Sequence, residues 1–116
     1  MQILDHKVKI SELKTLAEKM YGFLIKGVID IEKEIVVIDG EMHSDLQEAL
    51  VAAGSRGINI WGFNIRPDKG EDWLEFDSMV NIKPLLNNLT RGIDDPKTRA
   101  RAELIIRQII KLWISP

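Results

Sequence analysis

The chain has 116 residues, 45% of them hydrophobic and 29% charged, with a formal net charge of −2. That is the size and apolar content of a single globular domain spanning 1–116, and it excludes a disordered chain. No apolar run reaches about 18 residues, so a membrane span is excluded, and the small net charge argues against a general polyanion binder.

Residues 11–20 read as a helix. Ser11 suits the N-cap, and Leu13, Leu16, Ala17 and Met20 recur at helical spacing ahead of Gly22. Residues 23–31 and 34–39 are rich in Ile and Val and read as two strands. A two-residue turn at Glu32-Lys33 would pair Ile29 with Val36 and Val28 with Val37. A second helix follows, with Ser44 and Gln47 at capping-box spacing, an apolar stripe of Leu46, Ala49, Leu50 and Ala53, and Gly54 to end it.

Residues 58–66 and 73–82 read as a second hairpin around Pro67, Asp68, Lys69 and Gly70. Its register would set Ile65 against Leu74 and Phe63 against Phe76 on an apolar face. The other face would carry Arg66 by Trp73, Asn64 by Glu75, Gly62 by Asp77 and Ile60 by Met79. Residues 83–94 form a long connection, of a length often given to function. Asp95 and Pro96 then open a last helix running to about Trp113, with Ala102, Ile105, Ile109 and Leu112 on one stripe.

The order is α-β-β-α-β-β-α. The expected fold is α+β, a four-stranded, mostly antiparallel sheet built from two hairpins, with three helices packed on one face.

The small net charge hides an imbalance. Residues 1–82 hold nine Lys/Arg against fifteen Asp/Glu, a net −6, and residues 83–116 hold seven against three, a net +4. A basic helix docked on an acidic body explains this, and so does a basic surface for an anionic partner.

There is no cysteine, which removes disulfides, thiolate nucleophiles and Cys-based zinc sites, and fits a reducing cytoplasm. The first residues, MQILDHKVKI, show no secretory signal. Phosphate-loop, dinucleotide, HExxH and Gly-x-Ser-x-Gly motifs are missing.

Three places hold candidate chemistry. Asp39, Glu41, His43 and Asp45 are spaced by two, so in extended chain they would point one way, as an acid–base pair or metal site requires. Asp45 belongs to the helix, which breaks the alternation, and acidic residues favour helix starts in any case. The second place is the polar hairpin face of Asn64, Arg66, Glu75, Asp77 and Asn81. An Arg66–Glu75 diagonal ion pair is its simplest structural content. The third is the loop with Asn87, Asn88, Thr90 and Arg91, where Asp94 and Asp95 would repel a phosphate from the helix start.

In combination, Gly40-Glu41-Met42-His43-Ser44-Asp45, Trp61-Gly62-Phe63-Asn64, Glu75-Phe76-Asp77-Ser78-Met79, Asn81, Pro84, Asn88-Leu89-Thr90-Arg91 and Asp95 come in a distinctive order. The chain resembles a small prokaryotic family catalogued only as a domain of unknown function. The resemblance covers most of the chain and implies no activity.

The expectation is therefore a small cytoplasmic ligand-binding or enzymatic domain. His43, Glu41 and Asp77 would be the catalytic groups, and Arg91, Arg66, Asn64, Glu75, Asn81 and Asn88 would hold a small anionic ligand, with no cofactor or metal. The alternative is a non-catalytic module whose basic last helix meets an acidic protein or nucleic acid. Low aromatic content, 6%, disfavours single-strand stacking. Hairpin edges and the apolar last helix also admit a homodimer.

Overall fold

The computed structural model describes residues 2–4, 8–9, 24–67 and 69–111. Its elements are β1 (Gln2–Leu4), β2 (Val8–Lys9), β3 (Ile25–Asp30), β4 (Ile35–Ile38), α1 (His43–Ala52), β5 (Ile60–Ile65), β6 (Leu74–Glu75), α2 (Pro96–Ile109) and β7 (Ile110–Lys111). The helix expected over 11–20 lies outside the described residues, among which there are two α-helices and not three.

The class is α+β, and the main sheet is antiparallel throughout, ordered β1-β4-β3-β5-β6. Four of these strands are the expected ones, and β1 adds a fifth at the edge. β2 and β7 pair in parallel apart from this sheet.

The first hairpin has the expected register, Ile29 against Val36 and Val28 against Val37. Its turn is longer than expected, because pairing stops at Asp30 and Ile35. Buried Asp30 organises it: Oδ1 accepts from the Glu32 and Lys33 amides at 2.9 and 3.0 Å, and Oδ2 accepts from Ser55 Oγ at 2.6 Å. Glu34 takes the left-handed conformation, φ 56°, that closes the loop.

The helices pack on opposite faces of the sheet, not on one. Ala102, Ile105 and Ile106 of α2 meet Ile25, Ile29, Val36, Ile38, Phe63 and Ile65. Leu46 and Leu50 of α1 meet Val28, Val37 and Ile60. Strands that alternate between two apolar sets must be covered twice, and β5 is buried at every residue.

The second hairpin is shorter than expected. Asn64 pairs with Glu75 and Ile65 with Leu74, and the ladder ends there. Phe63 does not pair with Phe76, nor Gly62 with Asp77, nor Ile60 with Met79. Gly62 explains the departure. A Cβ on it would lie 2.6 Å from Ser78 Cβ and Oγ, so the chain crosses directly over the bare glycine instead of running beside β5. Trp73, expected on the polar face, is helical at φ −69° and ψ −22°. It turns wholly into the α2-side core, where the Arg107 guanidinium lies 5.2 Å from its ring.

Candidate functional site

The site is built on one row across the sheet. Lys26 of β3, Asn64 of β5 and Glu75 of β6 are successive cross-strand neighbours. The row lies one strand-period from Val28 and Gly62, on the face that α1 covers.

α1 starts at His43, two residues earlier than a capping box at Ser44 and Gln47 places it. Met42 is the N-cap and offers no side-chain bond. Ser44 is thus inside the first turn, and Gln47 does not reach back; its buried Oε1 has no hydrogen-bond partner. Starting the helix at His43 sets the imidazole over the row, where Nε2 lies 2.8 Å from the Phe63 carbonyl oxygen. As donor to that carbonyl, Nε2 carries the proton and Nδ1 is left as the acceptor.

The half-buried His43 is held below the usual 6.5, chiefly by loss of solvent. Bonds to the Phe63 carbonyl and toward the Asn64 side chain oppose this, while the charges of Lys26 and Arg91 reinforce it. The neutral imidazole is therefore favoured at neutral pH.

Asn64 ties the patch together. Its Nδ2 donates to Glu75 Oε1 at 2.9 Å and to the Asp77 carbonyl at 3.1 Å, and its buried Oδ1 has no donor at hydrogen-bond geometry. Arg66 meets Glu75 through Nε and Nη2, both at 3.3 Å, which is the expected diagonal pair. Arg91 reaches back from the long connection and pairs with Asp77. Glu41 lies on the exposed bend two residues ahead of His43.

Asn81 and Asn88 are buried and bonded to backbone. Asn81 Oδ1 accepts from the Gly62 amide at 2.7 Å, and its Nδ2 donates to the Gly62 and Arg91 carbonyls at 3.0 and 2.8 Å. Asn88 Nδ2 donates to the Asn81 and Gly92 carbonyls, both at 2.8 Å, while its Oδ1 accepts from the Asp94 amide at 2.8 Å. These two amides shape the loop that presents Arg91. Asp95 caps α2, accepting from the Thr98 amide at 3.1 Å, with Pro96 in the first turn. Asp94 binds Thr90 and the Leu89 amide.

Lys26 did not stand out in the sequence. Its place is set by the pairing of β3 with β5, strands 30 or more residues apart, and no local pattern announces that pairing.

Among the described residues, no three His, Asp or Glu side chains gather as a metal site. No helix there is long and apolar enough to cross a membrane. Arg99 pairs with Glu103 at 3.4 Å and sits 5.2 Å from the Phe76 ring, so part of the basic charge of α2 is spent on its own fold.

The fold and site define a small α+β protein with a polar patch at one end of a doubly covered sheet. The chain belongs to the family described as Protein of unknown function (DUF5674), whose model matches residues 2–109. No curated protein matches the chain. No solved structure matches it either.

Proposed function

We propose that the patch around Asn64 binds a small anionic ligand and that His43 acts there as acid or base. One observation carries this reading. Two cationic groups, Lys26 and Arg91, act on a half-buried imidazole biased to its neutral form, beside a buried Asn64 Oδ1 that lacks a donor. An anion answers the positive potential. Asp77 orients the Arg91 guanidinium, and Glu75 holds Asn64 and Arg66 in place.

The test is titration with inorganic phosphate, lactate and acetate, following the His43 imidazole by NMR. A bound anion raises the imidazole pKa. An imidazole that ignores all three anions, or that responds equally in Arg91→Ala, overturns the reading.

A further inference from the structure

A second feature has a lining that includes neither Arg91 nor Asp77. A groove of about 510 Å³ runs between α1 and the turns at Gly57–Asn59, Met79–Asn81 and Pro84–Leu86. Its lining includes Ile58, Met79, Ile82, Leu85 and Leu86, all large apolar residues open to solvent. Met79 is 64% exposed and Leu85 95%. Single exposed apolar residues are ordinary, but five around one groove mark an interaction surface.

One polar group in this groove is incompletely served. Lys83 Nζ donates to the Gly57 and Val80 carbonyls, both at 3.0 Å, and lies 5.1 Å from the Trp61 ring. An ammonium has three N–H groups, so one remains. Among the described residues no carboxylate pairs with Lys83. Its charge is thus half-buried and, among the described residues, balanced by carbonyls and a ring, and burial pushes its pKa down.

A cation with no carboxylate partner among the described residues, set in an apolar groove, describes its complement. It carries a carboxylate and apolar side chains. We propose that this groove docks a partner protein through an apolar segment whose Asp or Glu pairs with Lys83. A protein fits better than a small molecule because ligand pockets enclose most of their ligand. Here the apolar side chains stand outward, Leu85 almost completely, where only a broad partner surface covers them.

The test pans a displayed library of random peptides, about twelve residues long, against the full chain. The expected consensus has an acidic residue flanked by Leu, Ile, Phe or Met. A synthetic consensus peptide then binds about tenfold more weakly to Lys83→Met and to Leu85→Asp. Lys83→Met also removes two bonds to the loop, so Leu85→Asp, at a fully outward side chain, separates binding from folding. His43→Gln leaves peptide binding unchanged, which keeps this site distinct from the anion patch. The proposal is overturned by any of four outcomes: no consensus, a consensus without an acid, undiminished binding to Leu85→Asp, or a self-association of the chain that Leu85→Asp abolishes.

Discussion

The Asn81 side chain serves both backbone groups of Gly62, accepting from its amide at 2.7 Å and donating to its carbonyl at 3.0 Å. A primary amide thereby does for β5 what a pairing of Gly62 with Asp77 would have done, just where that strand has left the sheet. The third bond, to the Arg91 carbonyl at 2.8 Å, fixes the loop that carries the guanidinium. Asn81→Ala leaves buried backbone groups unpaired and should cost about 3 kcal/mol. The corresponding fall in Tm is about 10 °C, read by thermal melting.

Gly62 is needed for a different reason. An added Cβ would stand 2.6 Å from Ser78 Cβ and Oγ and 2.9 Å from Val80 Cγ2. Gly62→Ala should therefore destabilise by about 2 kcal/mol through overpacking. If the clash is with Ser78, adding Ser78→Gly relieves part of it. The double variant is then more stable than the two single losses predict, a coupling that urea denaturation of all four proteins in the cycle measures.

These two residues also show where the sequence was readable. The Ile29–Val36 and Ile65–Leu74 registers follow from short-range patterning, because a hairpin's pairing depends on residues within one turn of chain. The capping of α2 by Asp95 and the left-handed Gly54 at φ 107° were equally local. The crossing at Gly62 was not. Nothing near Ser78 in sequence says that it will be buried against a glycine 16 positions earlier, so 73–82 looked like one strand. Within the site, the Arg66–Glu75 pair was legible as a hairpin diagonal. Lys26 was not, because it joins through the pairing of β3 with β5. Two-sided burial of β5 was written in its near-continuous apolar run, Ile60 to Ile65, and a reading of that run as fully buried would have placed the helices on both faces.

Arg91 separates stability from electrostatics. Its pair with Asp77 is about half exposed, 53% and 49%, so its loss should cost under about 1 kcal/mol. The loop keeps its anchor in Arg91→Ala because the bonds from the Ser78 amide and Asn81 Nδ2 go to the Arg91 backbone carbonyl. The charge acting on His43 does change. With a cation removed, the imidazole pKa should rise toward 6.5, and phosphate affinity should fall. An NMR pH titration of His43 in both proteins reads the first, and a phosphate titration reads the second.

His43 also makes stability depend on pH, with a definite sign. Its folded pKa lies below the usual 6.5, mainly through burial, so between the folded value and 6.5 the unfolded chain binds more protons. The stabilisation is complete above pH 6.5 and is lost as pH falls through the folded value. Asp94 and Asp95, held below the usual 3.8 by Thr90 and Thr98 respectively, act in the same direction but only in more acid solution. The two windows are therefore separable. Urea midpoints measured at about pH 7.5 and about pH 5.5 should fall for the wild-type chain and stay nearly level for His43→Gln, which cannot take up the proton. Equal slopes in the two proteins would show that the imidazole is not the group responsible.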